Sequence, residues 1–598
     1  MWLILNLTKE NLINSLTLKK VIFRIITSWL LISCIYLFTV DDYNDLSIFQ
    51  NTSIFLSLLF IIISFISITF ISIILTKDNI DSKIIFFITL LFVTLLILKS
   101  DGIDEYPYEL LAVSLILVII SIFSYNDNKE LINRIKISKK ALIIIIVILS
   151  TISFIITLLI LIFRYKGYIS PNFDFGIFVN SFYNMKRTGR PLIACERDVL
   201  QSHFKVHLSP IFYVFLPMFI IFPYPETIQG FQAFSIAIGI VPLILILLNK
   251  KMNNNTILLI AILYLFSPVL VASNSYDFHE NSFLPFILLF MFYFIENKKI
   301  IPFFIFLTLL LTVKEDAAFY GLIIGLFLIF NKKEYVKGII TVSISLIYFF
   351  IAIAILNNLG NGAMTNRYDN LIYDSNSGIL GMLKTFINNP GYSIRQIFKT
   401  NNYDGKKLLY VIELLIPLGF MPIIIKKPSY LILLIPLLLN LLTMYSYQYN
   451  INFQYSYGII AFLFYLTLLN IDDINTGKDV LVIISLSTTF IFYLAISFSF
   501  LSTYVEIYKD NKQARLDYKE AIKLVPKDST VSASTFILPH MADRLVIYEE
   551  YYHRGKTDTD YIVMDHSDKD FTNIVKTYIN KGYITIFETE NVIVLKYE

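Results

Sequence analysis

Charged residues and cysteines are both scarce in this chain. Only 16% of its 598 residues are charged, whereas about a quarter are charged in typical soluble domains. Hydrophobic residues make up 56%, and the mean hydropathy is +0.68. These values exclude an ordinary soluble domain and predict a polytopic membrane protein. The two cysteines, Cys34 in the first apolar run and Cys195 in a later polar loop, lie at different expected depths, so we expect no disulfide between them.

Positive charge is also limited. The formal net charge is +4, which is small for this length, and the Lys and Arg residues fall mainly in turns between apolar runs. This distribution indicates a membrane topology and argues against nucleic acid as a partner.

Apolar runs recur along most of the chain, and each can cross a bilayer core as a helix. They predict about fifteen spans, at about 21–39, 50–76, 83–98, 108–124, 140–163, 228–248, 256–273, 281–295, 300–312, 317–330, 338–357, 408–425, 429–445, 456–470 and 479–501.

Lysine pairs indicate the orientation, because cytoplasmic loops carry the excess of Lys and Arg. Acidic segments such as Asp41-Asp42 and Asp277 to Glu280 fall on the opposite side. This alternation requires that the run 209–222 lies at the membrane surface or re-enters it without crossing. The sequence therefore predicts a multi-pass plasma-membrane protein with its N-terminus in the cytoplasm and its C-terminus outside. The basic turns are Lys250-Lys251, Lys298-Lys299, Lys332-Lys333 and Lys426-Lys427.

The composition changes sharply near residue 502, where long apolar runs stop. Short β-type runs follow at 530–534, 545–548, 560–565, 583–587 and 592–595, with helix-like segments at about 505–524 and 570–581. We therefore predict an all-α polytopic membrane protein with a small C-terminal α/β domain. The expected parts are N-terminal transmembrane helices at 1–135, a transmembrane core at 136–501 with a large outer loop at 165–227, and an extracytoplasmic domain at 502–598.

Four groups of polar residues fall on the predicted outer face. They are Asp174 with His203 and His207, the segment Asn274 to Glu280, the triplet Lys314-Glu315-Asp316, and the loop 358–407 with Arg367, Asp369, Asp374 and Arg395. Ionisable residues at a membrane boundary are costly to place and therefore indicate a functional site. The alternatives are structural: Asp174 could cap the next helix, and the triplet could be a solvated turn.

Acid/base chemistry suits these residue types, because a carboxylate can take a proton from a hydroxyl while cations hold a phosphate leaving group. Asp174 is the candidate base, and Lys314, Arg367 and Arg395 are candidates for the phosphate. The His and carboxylate side chains could instead bind a divalent metal. Their spacing matches no local metal motif, so no metal ligand is assigned.

The order of motifs resembles that of a known family. The relevant segments are Asp174-Phe-Gly-Ile-Phe, His207-Leu-Ser-Pro210, Leu216-Pro217, Gln229, Asp277-Phe-His279, Lys314-Glu315-Asp316, Val525-Pro526, Leu538-Pro539-His540 and Asp560 to Asp565. Together they resemble a prokaryotic integral-membrane family, a domain of unknown function grouped with the GT-C glycosyltransferase superfamily. The resemblance covers about 140–598.

This resemblance implies a GT-C fold and an inverting glycosyltransferase in which Asp174 is the catalytic base. The donor would be a sugar linked to polyprenyl phosphate, and the acceptor a glycan, a lipid or a protein. Four additional spans before the core depart from the pattern, and so does Asn452-Phe-Gln454-Tyr455, where a His-Tyr pair is expected. The candidate substrate-binding residues are His203, His207, Gln229, Asp277, His279, Glu280, Lys314, Glu315, Asp316, Arg367 and Arg395, with Lys314 and more weakly His207 and His279 on the donor phosphate.

Two other functions fit the same sequence. A transporter or flippase of lipid-linked saccharides would be expected to show ionisable residues near the bilayer midplane and a repeat, whereas here the charges lie at the outer boundary and no clear repeat is visible. A non-catalytic cell-envelope assembly protein would act through its C-terminal domain, with Asp174 as a helix cap only.

Overall fold

The computed structural model describes residues 15–40, 53–75, 79–100, 107–360, 365–372, 378–402, 404–424, 427–471 and 478–598. Asp41, Asp42, Asp374 and Lys426, which entered the predictions above, lie outside these ranges.

Four helices precede the core, and a buried ion pair joins three of them. Arg24 on α1 pairs with Asp81 on α3 at 2.7 Å, and it also donates to Ser72 on α2 at 2.9 Å. A buried cation needs such partners, because an isolated one would be too costly within a bilayer. The helices are α1 (Leu18–Thr39), α2 (Ile54–Ile74), α3 (Ile80–Leu98) and α4 (Pro107–Arg134).

The core begins with α5, whose N-cap Ser138 accepts a hydrogen bond from Ala141 N–H and whose last turn carries Arg164 and Lys166. Gly239 joins α8 to α9. The Tyr264 hydroxyl lies so close to this glycine that a Cβ at residue 239 would be 1.9 Å from the hydroxyl oxygen. The helices are α5 (Lys139–Lys166), α6 (Ile177–Thr188), α7 (Phe212–Ile221), α8 (Pro225–Ile238), α9 (Ile240–Asn249), α10 (Asn254–Leu265), α11 (Pro268–Asn274), α12 (Leu284–Glu296), α13 (Ile300–Val313), α14 (Ala318–Phe327), α15 (Tyr335–Leu359), α16 (Gly378–Asn388), α17 (Pro390–Phe398), α18 (Lys406–Leu415), α19 (Ile435–Leu442), α20 (Ser456–Asn470) and α21 (Lys478–Asp510).

Within the described ranges, nine helical segments are long and apolar enough to span a membrane, and shorter apolar helices lie among them. The prediction of a polytopic helical membrane protein is confirmed, while the number of about fifteen spans stays a prediction. Helix α7 has 10 residues, so its length of about 15 Å falls well short of a hydrocarbon core of about 30 Å. That length supports the prediction that the run 209–222 does not cross.

Two short antiparallel strands, β1 (Leu192–Ile193) and β2 (Gln201–Ser202), lie in the loop before α7.

The C-terminal region contains β3 (Val531–Ala533), β4 (Ile547–Glu549), β5 (Tyr561–Asp565), β6 (Tyr583–Glu588) and β7 (Val592–Tyr597). They form a five-stranded sheet in the order β4-β3-β5-β7-β6. Strands β4, β3 and β5 are parallel, and β7 pairs antiparallel with both β5 and β6. The small α/β fold predicted for this region is therefore confirmed. The change of composition near residue 502, which was predicted to begin this region, falls inside helix α21, and that helix continues to Asp510. The helices of this region are α22 (Lys512–Leu524), α23 (Glu550–His553) and α24 (Phe571–Ile579).

The helix bundle has lysine contacts at one end and a cavity at the other. At one end, Lys250 Nζ donates to the Leu468 carbonyl at 2.9 Å and Lys332 pairs with Glu296 at 2.8 Å. The segments that follow α5, α11, α13, α15 and α19 lie at the other end, where they enclose a cavity.

Candidate active site

The cavity has a volume of about 430 Å³ and collects side chains from six separate segments. The turn Asn172–Gly176 between α5 and α6 supplies Asp174, and the loop before α7 supplies Glu196, Arg197, His203 and His207. Tyr276 and His279 come from the α11–α12 connection, Lys314 from the end of α13, and Arg367 from the loop after α15. The α19–α20 connection contributes Tyr445, Tyr447, Phe453, Gln454 and Tyr455.

Asp174 is partly exposed to this cavity. Its carboxylate makes no hydrogen bond to another part of the described chain, and no side chain caps the first turn of α6. The structure therefore does not support the interpretation of Asp174 as a helix cap. Burial raises the pKa of Asp174 to about 7, and the nearby Lys314 ammonium only partly opposes this rise. A carboxyl group with such a pKa can accept a proton near neutral pH.

Lys314 supplies a buried cation to the cavity wall. Its Nζ atom lies 3.2 Å from Glu280 Oε1, and both side chains are almost completely buried. Although burial by itself disfavours the ammonium, the carboxylates of Glu280, Asp316 and Glu315 hold the pKa of Lys314 above its ordinary value. Lys314 is therefore a fixed positive charge at the cavity wall.

Three histidines line the cavity, and each contacts a carboxylate through Nδ1. His203 lies 3.0 Å from Glu196, His207 lies 2.9 Å from Glu315, and His279 lies 3.2 Å from Glu280. The Nε2 atom of His203 is buried and has no partner in the described chain. His203 thus brings an unpartnered polar atom to the cavity wall.

His279 differs from the other two histidines. Its Nδ1 atom accepts a hydrogen bond from Asn281 N–H at 3.4 Å, and burial lowers its pKa to about 3. His279 is therefore neutral near pH 7, so a contact with a phosphate would be a hydrogen bond without a charge of its own. It can still donate a hydrogen bond through Nε2.

An aromatic wall faces Asp174, and sequence analysis missed it. The Arg367 guanidinium lies over the rings of Tyr445 at 4.7 Å and Tyr455 at 5.1 Å. The Gln454 Oε1 atom next to them is buried and has no partner in the described chain. The departure from the expected His-Tyr pair at 452–455 drew attention to this loop, but nothing local in the sequence indicated that it meets Asp174.

Several predicted binding residues lie outside the cavity wall. Gln229 is buried and donates to the Leu161 carbonyl at 3.0 Å, so it joins α8 to α5. Asp277 is buried and pairs with Arg164 at 3.0 Å. The remaining four do not line the cavity either. Glu280 and Glu315 contact Lys314 and His207 from behind, the Asp316 carboxylate acts on the charge of Lys314, and Arg395 is exposed.

Metal binding was left open by the sequence. Among the residues that the structure describes, no group of three His, Cys, Asp or Glu side chains is arranged to hold a metal ion. The carboxylates nearest His203 and His207 contact the ring nitrogens directly instead.

The arrangement has a clear chemical capacity. Asp174 can act as a base, Lys314 and Arg367 can stabilise an anion, and the aromatic side chains can pack against a ligand. Perturbed ionisable groups that converge in a cavity of this kind are typical of active sites.

Comparison with solved structures gives a distant likeness. The crystal structure of ArnT from Cupriavidus metallidurans bound to undecaprenyl phosphate is 10% identical, covers 75% of this chain and 97% of its own, and has a TM-score of 0.46. The same protein in its apo state has a TM-score of 0.39 at the same identity and coverage. No curated protein matches the chain.

Comparison with protein families gives a match over most of the chain. Residues 164–594 match the family described as "Predicted membrane protein (DUF2079)". This range contains the cavity and most of the C-terminal sheet, and it agrees with the resemblance over about 140–598. The chain therefore belongs to the DUF2079 family of predicted membrane proteins.

Proposed function

We propose that this chain is a membrane glycosyltransferase of the GT-C type. It transfers a sugar from a polyprenyl-phosphate-linked donor to a glycan, lipid or protein acceptor outside the cytoplasm. The observation that carries this proposal is the presence of Asp174, Lys314 and Arg367 in one cavity at the end of the bundle that we predict to face outward.

The reaction uses these groups as follows. Asp174 takes the proton from the acceptor hydroxyl while that oxygen attacks the anomeric carbon of the sugar. The bond between the anomeric carbon and the phosphate oxygen breaks, and its electron pair leaves with the polyprenyl phosphate. Attack from the side opposite the leaving group inverts the anomeric centre.

Lys314 and Arg367 stabilise the negative charge that develops on the departing phosphate. Both follow helix ends on the side that we predict to face outward, where the phosphate of a lipid donor would lie. The aromatic wall formed by Tyr445, Tyr447 and Tyr455 packs against the sugar ring or the first isoprenoid units.

The test is a transfer assay in membranes, with a polyprenyl-phosphate donor labelled in its sugar. Asp174→Asn should lower the rate by about two to four orders of magnitude while expression and thermal stability are maintained. Asp369→Asn is the matched control, because Asp369 is exposed in the same loop as Arg367 and does not line the cavity.

Near wild-type transfer by the Asp174→Asn variant would exclude Asp174 as the base. Movement of the intact donor across the bilayer without loss of its sugar would instead favour the transporter function.

A further inference from the structure

The turn that carries Asp174 is attached to the C-terminal domain at most of its positions. Asn172 Nδ2 donates to Glu549 Oε2 at 2.7 Å and to the Cys195 carbonyl at 2.9 Å. Both partners are acceptors, so the orientation of the amide is determined. Asn172 is completely buried and Glu549 is 7% exposed, which makes this a shielded contact between residues far apart in sequence.

Thr535 strengthens the same attachment. The Asn172 backbone N–H donates to Thr535 Oγ1 at 3.2 Å. Burial raises the pKa of the Glu549 carboxyl group, and the Thr535 side chain acts against this rise by favouring the ionised form. The C-terminal domain therefore holds both the backbone and the side chain of Asn172.

The neighbouring residues of the turn contact the same domain. The Phe173 ring meets the Tyr552 ring edge to face at 5.7 Å. Gly176 lies so close to the domain that a Cβ there would be 2.9 Å from a methyl group of Leu538. Asp174 lies between these attached residues, and its own carboxylate is directed to the cavity.

A shared hydrophobic core completes the contact. One hydrophobic cluster joins the two parts of the chain. It contains Ile177 at the start of α6, Ile193 and Cys195 from the segment before α7, and Val531, Ile547 and Val563 of the sheet. The C-terminal domain therefore packs directly against the turn that carries Asp174, although the domain follows that turn by more than three hundred residues in sequence.

We propose that the C-terminal domain is part of the catalytic unit and that Glu549 is a positioning residue, which holds Asp174 in its place at the cavity through Asn172. This inference rests on the proposed function for its catalytic consequence. Its structural consequence can be measured independently, because the ionisation of Asp174 depends on where its carboxylate lies.

The variants are Glu549→Ala, which removes the acceptor, and Glu549→Gln, which keeps one acceptor oxygen of similar shape. Glu590→Ala is the matched control, because Glu590 is an exposed carboxylate of the same domain. All three are made in the full-length chain, and their thermal stability is measured first.

The activity-independent readout is an infrared titration, in which the carboxyl signal of Asp174 is identified by subtracting the spectrum of the Asp174→Asn variant. Glu549→Ala should lower the ionisation midpoint of Asp174, since a loosened turn lets water reach the carboxylate. Glu549→Gln and Glu590→Ala should leave the midpoint near its wild-type value.

The kinetic readout is the donor transfer assay. Glu549→Ala should lower kcat by at least about tenfold, because small displacements of a catalytic group are costly, and should change the donor KM little. The acidic limb of the pH–rate profile should move with the infrared midpoint. Glu549→Gln should restore most of the rate.

A second independent readout is the labelling of Cys195 by a maleimide in a Cys34→Ser background. Cys195 is 2% exposed in the shared core, so it should be protected in wild type and react faster in Glu549→Ala.

An unchanged midpoint of Asp174 in Glu549→Ala would overturn the positioning role, whatever happens to stability. If the midpoint moves but the wild-type chain transfers no sugar, the proposed function fails while the positioning of Asp174 by the C-terminal domain stands.

Discussion

Lys314 pairs with Glu280, not with its neighbour in sequence, Glu315. The Lys314 Nζ atom lies 3.2 Å from Glu280 Oε1. Glu315 instead contacts His207 Nδ1 at 2.9 Å and accepts the Leu208 N–H at 3.0 Å. The cavity is therefore lined by a lysine whose ion-pair partner comes from across the bundle, while the neighbouring carboxylates Glu315 and Asp316 add to the negative charge around it.

This pairing determines how Lys314 should be tested. Lys314→Met alone leaves Glu280 buried without its partner, which typically costs about 3–5 kcal/mol. The double variant Lys314→Met, Glu280→Gln removes both charges, so we expect it to regain much of that stability. It should still raise the donor concentration required by about 10- to 150-fold, because a hydrogen bond to a charged group contributes about 1.5–3 kcal/mol.

The matched control is the pair Lys332–Glu296 at the opposite end of the bundle, with its atoms 2.8 Å apart. Lys332→Met, Glu296→Gln should affect stability without changing donor affinity. Equal changes of donor affinity in both double variants would contradict a phosphate role for Lys314.

Asp174 should impose an acidic limb on the pH dependence of transfer. Burial raises the pKa of Asp174 to about 7, and only the ionised carboxylate can accept a proton. We therefore expect kcat to rise with pH and to level off above pH 7, with about a tenth of the plateau value one unit below the pKa.

The same pKa shift predicts a change in stability. When folding raises the pKa of a carboxyl group, the folded protein loses stability as pH increases from the ordinary pKa of that group through its pKa in the folded state. The melting temperature of Asp174→Asn should therefore increase relative to wild type between pH 5 and pH 8. A constant difference across that interval would show that Asp174 does not titrate there.

The pair formed by Glu196 and His203 should also make stability fall as pH rises, but above pH 6.5. Burial by itself lowers the pKa of His203, but the Glu196 carboxylate raises it above its ordinary value of 6.5. This contribution to stability is complete below pH 6.5 and disappears as pH rises through the folded pKa.

The pKa of Glu196 is lowered from its ordinary value of 4.5, because the charge and hydrogen bond of His203 outweigh the effect of burial. Its contribution is therefore lost only as pH falls below 4.5. His203→Gln should flatten the decrease in melting temperature above pH 6.5. His566→Gln is the control, since the His566 ring packs against Phe571 at 4.1 Å in the C-terminal domain. An unchanged alkaline slope in His203→Gln would contradict the pairing.

Gln454 should contribute to substrate affinity. Its Oε1 atom is buried at the cavity and has no partner in the described chain, so a hydroxyl group of the substrate can donate to it. Gln454→Leu should raise the KM of the sugar substrate by about 5- to 150-fold, equivalent to about 1–3 kcal/mol, with little loss of stability. A larger effect on melting temperature than on KM would indicate a purely structural role.

The orientation in the membrane can be tested at the C-terminus. We predict an odd number of spans after a cytoplasmic N-terminus, so a reporter that is active only in the cytoplasm should be silent when fused after Glu598. A fusion after Lys333, in a predicted cytoplasmic turn, should be active. A strong signal from the C-terminal fusion would place the cavity on the cytoplasmic side.

Local sequence determined the class of this protein and most of its elements. The apolar runs predicted helices that the structure contains, because helix formation in a bilayer depends on composition over about 20 residues. The C-terminal strands were equally visible, since β5 lies within a run of β-branched and apolar residues and β7 begins with another. Asp174 was identified for the same reason: a carboxylate immediately after a long apolar run is conspicuous without any partner.

The tertiary structure alone decided which of the polar residues act together. It separated Gln229, Asp277 and Arg395 from the cavity and brought the Tyr445–Tyr455 segment to face Asp174. The pairs Lys314–Glu280, Arg164–Asp277 and Asn172–Glu549 form between residues distant in sequence. A buried charge or amide takes the partner that helix packing places within about 3 Å, because an unpaired polar group in such surroundings is costly. That distance depends on how helices cross in space, which residue spacing along the chain does not encode.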